Sequence, residues 1–304
     1  MRVLVTGAAG FVGRALTARL AASGVAVVAA VRRAEGAPEG AVVVGDLAAP
    51  VDWSRALDGV DAVVHLAARV HVMRERAADP DAAFAAVNVA ATRGLAEAAR
   101  RAGVRRLVFV SSVKVLGERT LPGRPFRDGD PPAPEDAYAR SKRDAEDVLV
   151  SIAGLETAIV RPPLVYGPGA AGNLRALARL VRSGLPLPFA GLDNRRSLVG
   201  VGNLATAIET CLRHPAAAGG RFLVADWHPS TAELVRALAA AAGRPPRLWP
   251  LPSALFRVLA MLGGGAALAR LTQSLEVDAS GLAALGWRPA TPPAAELAAL
   301  MRAP

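Results

Sequence analysis

The stretch Val3-Leu4-Val5-Thr6-Gly7-Ala8-Ala9-Gly10-Phe11-Val12-Gly13 decides the fold. A short β-type run ends in glycines at positions 7, 10 and 13, and an alanine-rich, periodically apolar segment continues directly to about Ala22. Gly7 suits a tight turn, Gly10 lets a phosphate approach the backbone, and Gly13 lets the new helix lie close on the sheet. The free N–H groups of that helix would then face a pyrophosphate. A glycine-rich turn in another α/β protein shares this spacing, but its place between a strand and a helix favours a dinucleotide site.

Composition narrows the classes around that turn. The 304 residues are enough for one full core with a smaller second lobe, and 52% are apolar, so the chain is not a disordered one. The single cysteine, Cys211, allows no intrachain disulfide and fits a reducing cytoplasm. The formal charge of +10 comes from scattered bases, of which only Lys114 and Lys142 are lysine. Without a basic run or an aromatic stacking motif, nucleic acid is not an expected partner, whereas an anionic small molecule is. Residues 255–271 are apolar, yet Arg257, Arg270 and the glycines at 263–265 interrupt them, so no stable membrane span is expected. No metal site is expected either.

Further along, residues 26–31 read as a second strand followed by Arg32 and Arg33. An acid at this strand end would hold the two hydroxyls of an NAD ribose, and arginines accommodate a 2′-phosphate; here the acid is missing, which leans toward NADP. Residues 41–44 form a third strand leading to Asp46 and Leu47, which suit an adenine amino group and ring, although a capping aspartate looks the same. Residues 61–66 give a fourth strand ending in His65-Leu66-Ala67-Ala68, where small residues let the backbone pass close to a cofactor and His65 reads as a packed histidine. The helical stretch 80–103 carries Asn88, a residue disfavoured mid-helix unless it satisfies a backbone group or faces solvent. Residues 106–112 form a fifth strand ending in Ser111-Ser112, and alternating strands and helices predict a doubly wound parallel sheet with right-handed crossovers.

A proline-rich rim at 118–135 precedes a helix that begins with Tyr138 and carries Lys142 one turn on, on the same face. A tyrosine is a weak base at its usual pKa near 10, and a lysine beside it stabilises phenolate. With Ser112 able to share the same substrate oxygen, the three residues describe proton exchange with an alcohol while hydride moves to or from a nicotinamide. After a strand at 157–160, residues 164–169 read as a glycine–proline loop before a helix at about 174–183. A strand near 222–224, a helix at 231–242 capped by Thr231, and helices ending near 287 and 301 complete the chain.

The chain resembles the extended short-chain dehydrogenase/reductases, especially the NAD-dependent epimerase/dehydratase branch that acts on nucleotide sugars. The matching phrases include Thr6 to Gly13, His65-Leu66-Ala67-Ala68, Ser111-Ser112-Val113-Lys114-Val115, Tyr138-Ala139-Arg140-Ser141-Lys142 and Arg161-Pro162-Pro163-Leu164-Val165-Tyr166-Gly167. The resemblance implies a Rossmann-type domain over 1–162, to which 196–214 returns, and a substrate-binding lobe from 163–195 and 215–304. It implies Ser112, Tyr138 and Lys142 as the catalytic trio. Gly7, Gly10, Phe11, Val12 and Gly13, with Arg32, Arg33, Asp46 and Leu47, would then hold NAD or NADP. Leu66, Ala67, Ala68, Asn88 and Pro163 would complete that pocket, and Tyr138 and Lys142 would reach the nicotinamide ribose. His71, Ser112, Lys114, Tyr166, Asn173, Arg196 and Arg270 would face the nucleotide sugar, with arginine forks suited to its diphosphate.

Two residues depart from the family pattern. Val31 and Arg32 replace the strand-end acid, and Asn203 stands where an aspartate is usual, which is expected to affect packing. The resemblance leaves the reaction open between a 4-epimerase of UDP-glucose or UDP-N-acetylglucosamine and a 4-keto-sugar reductase. A dehydratase would want an acidic pair after the serine, and the residue there is Val113. A non-catalytic NAD(P)-binding regulator is the contrasting class. Homodimerisation through helices flanking the catalytic segment is also implied.

Overall fold

Val3, Leu4 and Val5 are all fully enclosed. Successive strand side chains point to opposite faces, so a strand apolar at every position must be covered on both sides. The computed structural model describes residues 1–70, 79–251 and 271–302. Strand β1 (Arg2–Thr6) feeds helix α1 (Phe11–Ala22), followed by β2 (Ala26–Val31), β3 (Val42–Val43), α2 (Ser54–Leu57) and β4 (Ala62–His65). Then come α3 (Pro80–Ala85), a π-helical turn (Ala86–Ala90), α4 (Ala91–Arg101), β5 (Arg106–Val110), α5 (Ala137–Ser151) and β6 (Glu156–Arg161). The chain continues through β7 (Leu164–Tyr166), α6 (Gly172–Ser183), β8 (Leu198–Gly200), α7 (Val201–Arg213), β9 (Arg221–Leu223) and α8 (Thr231–Ala241). Two further helices, α9 (Ser280–Ala284) and α10 (Pro293–Arg302), end the described chain.

Seven parallel strands in the order β3-β2-β1-β4-β5-β6-β9 make a Rossmann-type doubly wound sheet. On one face Val3, Val5, Val64 and Val108 pack with Leu16 and Leu20 of α1 and Leu204 and Ile208 of α7. On the other face Leu4, Val63, Leu107 and Phe109 meet Leu95 and Ala99 of α4 and Leu149 of α5. A second core joins Tyr166, Leu174, Leu177, Val235, Leu238 and Leu297, drawing α6, α8 and α10 around the two-stranded β7-β8 sheet. No described helix is long and apolar enough to cross a membrane, and 255–270 lie outside the described residues.

The structure corrects three local expectations. Residues 164–166, read as part of a loop, form β7, because Leu164, Val165 and Tyr166 find parallel partners in Leu198, Val199 and Gly200. Strand β9, assigned with 215–304 to the second lobe, is the seventh strand of the main sheet beside β6. The cap of α8 is Ser230 rather than Thr231: Ser230 is extended and exchanges bonds with Glu233 in a capping box, while Thr231 Oγ1 donates to the Leu271 carbonyl at 2.6 Å.

Asn203 explains its own departure from aspartate. Its Nδ2 donates to Asp226 Oδ2 at 2.6 Å and to the Thr291 carbonyl at 2.8 Å, and its Oδ1 accepts from Ala290 N and Thr291 N, both at 2.9 Å. A carboxylate there would lose both donor bonds and stand against Asp226. Asp226 Oδ2 also accepts from Gly200 N at 2.7 Å, and Glu296 Oε1 from Gly202 N at 2.9 Å, so two distant carboxylates hold the first turn of α7.

The one fully enclosed bidentate ion pair among the described residues fastens α5 to β6. Arg161 Nε donates to Glu146 Oε1 at 3.0 Å and Nη2 to Oε2 at 2.6 Å, with both side chains 2% exposed. Removing one partner strands a buried charge, so Glu146→Ala is expected to lose about 3–5 kcal/mol of stability in urea unfolding at neutral pH. A loss below about 1 kcal/mol would show that water reaches the guanidinium.

Candidate active site

The glycine turn is built as its spacing requires. Gly7 has φ +68, and a Cβ there would lie 2.9 Å from Ala67 N, so β1 and β4 can bring their ends together only with glycine at this position. A Cβ on Gly13 would lie 2.2 Å from the Gly7 carbonyl oxygen. Gly10, extended, leads into α1 with no side-chain cap and no acid in the first turn, leaving an uncapped positive helix end beside a glycine cradle. That combination fits the pyrophosphate of a dinucleotide. Phe11 and Val12 open the helix, each half-buried.

Arg32 and Arg33 follow β2 and are exposed at the same sheet edge. Asp46 turns on itself, its Oδ1 accepting from Ala48 N at 3.0 Å, and Leu47 packs against the α4-side core. His65 is fully enclosed: Thr6 Oγ1 lies 2.6 Å from Nδ1, and Thr92 Oγ1 lies 3.0 Å from Nε2. Thr92 donates onward to the Asn88 carbonyl at 2.7 Å, so its oxygen is the acceptor for Nε2–H and Thr6 the donor to Nδ1. Desolvation first, and the charge of Lys142 second, push the imidazole down to about 3, which keeps His65 a neutral packed group. Leu66 N and Ala67 N both donate to Thr6 Oγ1 at 3.2 Å, fixing the backbone beyond the strand.

Asn88 sits, 1% exposed, within the π-helical turn. Its Oδ1 accepts from Arg69 N at 2.8 Å, and its Nδ2 donates to the Arg69 carbonyl at 3.0 Å and to Ser141 Oγ at 2.9 Å. Ser141 Oγ in turn donates to the Tyr138 carbonyl at 2.8 Å. The amide thus ties the loop after β4 to the helix of Tyr138, the kind of task for which a helix interrupts its regular bonding.

Tyr138 occupies the first turn of α5, whose cap is Asp136, with Oδ1 accepting from Ala139 N at 2.7 Å. The phenol stands edge-on to Phe84, at 6.1 Å between ring centroids, and the Ser112 side chain favours its ionised form. Desolvation, then the negative charge of Asp136, push it up to about 12, against the pull of Ser112. Lys142, one turn on and 2% exposed, donates to the Val110 carbonyl at 2.9 Å and lies 4.5 Å over the Phe109 ring. Burial pushes it down to about 7, with Glu146 opposing. Ser112, Tyr138 and Lys142 therefore converge at the carboxyl end of β5, the sheet edge where α/β proteins place their ligands.

The expected substrate side is less uniform. Tyr166 is fully buried in the second core and donates to Asp226 Oδ1 at 2.9 Å, which removes it from any lining role. Lys114 is held by Glu118 at 2.6 Å and Asp136 at 2.7 Å. Arg196 Nη1 donates to the Gln273 carbonyl at 2.9 Å, Asn173 is exposed at the start of α6, and Pro163 is buried after β6. His71 and Arg270 lie outside the described residues. The sequence reading overlooked Asp136, Ser141 and Thr6. An aspartate just before a helical run is a readable cap, but the partners of Thr6 and Ser141 are 59 and 53 residues away.

The profile of a family described as NAD dependent epimerase/dehydratase matches residues 3–225. A UDP-glucose 4-epimerase of Vibrio cholerae is 44% identical over 296 residues, spanning 94% of this chain and 90% of that protein. A 3-diazoavenalumate denitrifying reductase of a Streptomyces species is 34% identical over 320 residues, spanning 96% and 97%. The crystal structure of Thermus thermophilus UDP-glucose 4-epimerase in complex with NAD superposes with a TM-score of 0.77 at 28% identity, covering 99% of this chain and 98% of that one.

The depressed lysine sets a pH signature. A lysine whose folded pKa is about 7 against an ordinary 10.5 releases its proton more readily when folded, so its burial penalty is full below about 7 and fades toward 10.5. The stability of Lys142→Met relative to the parent is therefore expected to improve as pH falls from about 10.5 to about 7 and to level off below. Urea unfolding of both proteins across that range reads the trend; a difference independent of pH would mean that Lys142 keeps its charge when folded.

Proposed function

Because the chain belongs to the NAD dependent epimerase/dehydratase family, we propose that it moves hydride at C4 of a nucleotide-diphosphate hexose. The reaction best supported is 4-epimerisation of a UDP-linked hexose through a 4-keto sugar, by analogy with the Vibrio cholerae relative. The observation that carries this reading is the meeting of Ser112, Tyr138 and Lys142 at the end of β5, beside the glycine cradle and uncapped start of α1. When bound, the nicotinamide supplies the acceptor and donor of hydride.

Tyr138 takes the proton of the sugar C4 hydroxyl, and Ser112 shares that oxygen. A phenol pushed up to about 12 is a poor place to leave negative charge, so nearby positive charge is a requirement of the chemistry. Lys142 supplies it from the same helical face. In an epimerase the proton and hydride return after the keto sugar has turned over, and the cofactor stays in place. A cytoplasmic homodimer belongs to the same reading.

Arg32 and Arg33 favour a second reaction, 4-keto-sugar reduction with NADPH. They are exposed at the β2 end, where no acid stands to hold a ribose diol. Mass spectrometry of the cofactor carried by the purified protein, with incubation on UDP-glucose and UDP-N-acetylglucosamine, separates the two. Retained NAD and a 4-epimer formed without added reductant support epimerisation; an empty protein that forms no epimer and prefers NADPH overturns it.

Tyr138→Phe is expected to keep cofactor affinity and lose turnover by about 10²–10⁴-fold. Near-normal turnover in a steady-state assay would remove Tyr138 from proton transfer. Replacing Arg32 and Arg33 together by alanine should weaken NADPH binding more than NADH binding in fluorescence titrations, and an unchanged ratio would take them out of the ribose site.

A further inference from the structure

The positive charge of this chain comes less from runs of bases than from where acids are missing. Residues 157–192 and 234–275 hold nine arginines and no aspartate or glutamate, while the remaining 27 basic and 26 acidic side chains nearly cancel. One of the nine, Arg161, is enclosed with Glu146. The two stretches are distant in sequence, and the second core brings them together. Helix α6 ends at Gly184, left-handed at φ +73, and residues 187–190 then run beside 247–249. Leu187 N donates to the Arg247 carbonyl at 2.8 Å, Trp249 N to the Leu187 carbonyl at 3.1 Å, and Ala190 N to the Trp249 carbonyl at 3.2 Å.

At this junction the surface is apolar and basic at once. Leu180, Leu185 and Trp249 are 44%, 57% and 44% exposed, whereas their neighbours Val181, Leu187 and Leu251 are buried in the second core. Arg179, Arg244 and Arg247 are exposed in the same two segments. Arg247 Nη1 donates to the Gly184 carbonyl at 3.3 Å, and Arg244 Nη1 lies 3.5 Å from where a Gly184 Cβ would stand. One task for these arginines is to offset the negative C-terminal ends of α6 and α8. That task explains a guanidinium at a helix end, but it leaves three large apolar side chains in water and two stretches without an acid. On the neighbouring helix α8 the acid is Glu233, at the opposite, N-terminal end and paired with Arg195.

We propose that this face docks on an anionic lipid surface. Such a surface asks for spread positive charge and apolar tips rather than for partners matched one by one. A tryptophan seats its ring at headgroup level, and leucines reach the acyl boundary. Arginines lay their stems along the apolar layer and keep their heads at the phosphates, each adding to the attraction of an anionic leaflet. The exposed prolines at 186, 245, 246 and 250 point to lipid rather than to a protein partner. They carry no N–H, so these segments enter an apolar layer with fewer donors left unpaired, whereas a protein interface could satisfy such donors. The contact is peripheral, since no described helix is long and apolar enough to cross a membrane. With few apolar tips, charge carries much of the attachment, which makes it reversible and sensitive to salt.

Sedimentation of the full chain with vesicles tests this, comparing phosphatidylcholine alone with phosphatidylcholine that contains phosphatidylglycerol. Binding is expected on the anionic vesicles only, and to weaken as the Debye length shrinks from about 10 Å at 0.1 M salt to about 3 Å at 1 M. Replacing Arg179, Arg244 and Arg247 together by glutamine should lower the affinity by about 10²-fold. Leu185→Ser combined with Trp249→Ser should lower it by about tenfold. Tryptophan emission should move to shorter wavelength on anionic vesicles in the parent and not in Trp249→Phe, because Trp53 and Trp287 are enclosed and Trp227 packs in the second core. An absence of binding to anionic vesicles would overturn the proposal, and so would equal binding by the parent and both multiple variants, which would place the contact elsewhere on the chain. Tighter retention of a duplex oligonucleotide than of anionic vesicles would also overturn it. A loss of self-association in the Leu185 and Trp249 variant with vesicle binding unchanged, read by analytical ultracentrifugation, would give the face to a second copy instead.

Discussion

The carboxamide of Asn88 holds the cleft together. A single buried side chain satisfies both backbone groups of Arg69 and reaches Ser141 on the helix of Tyr138, and the π-helical turn is the local cost of aiming it there. From the same turn the Asn88 carbonyl accepts from Thr92, and the chain of bonds runs on through His65 to Thr6 at the end of β1. The glycine cradle and the tyrosine helix are therefore linked by a row of neutral donors and acceptors, each with a partner, in which no proton need be gained or lost at neutral pH. A fully satisfied buried network of this kind fixes one arrangement of its members.

Charge is handled differently in the frame and in the site. In the frame, Arg161 and Glu146 are enclosed together and neutralise one another through two bonds. At the site, Lys142 is equally enclosed but is given a carbonyl and a ring face in place of a carboxylate, with Glu146 already committed to Arg161. The frame spends its carboxylate on stability and leaves the site with a lysine that titrates near neutrality. Such a perturbed group in a cleft is what makes this end of β5 the candidate site.

What the sequence made legible was local. The turn from β1 to α1, the run of parallel strands, and the one-turn spacing of Tyr138 and Lys142 all depend on neighbours within a few residues, and these agree with the structure. Asn88 was half readable: an asparagine inside a helix suggests a backbone partner, but exposure would excuse it as well, and only its burial decides between the two. What was hidden depended on distant chain. Residues 164–166 become a strand only because 198–200 lies alongside, and Tyr166 goes inward because Asp226 is there to accept from it. Lys114, expected to face the substrate, is bonded to Asp136, 22 residues on. In each case the missing quantity was the identity of a partner, which no periodicity encodes.

The late arrival of β9 bears on how this protein is made. It completes the main sheet beside β6, yet β7, α6, β8 and α7 are all synthesised between the two. Until then a growing chain presents β6 as an open sheet edge, with the apolar Ile159 and Val160 that β9 will later pair. Open edges of this kind recruit other strands. Non-local pairings also close slowly. The interval between the emergence of β6 and β9 from the ribosome is thus one in which the main sheet cannot close its last edge.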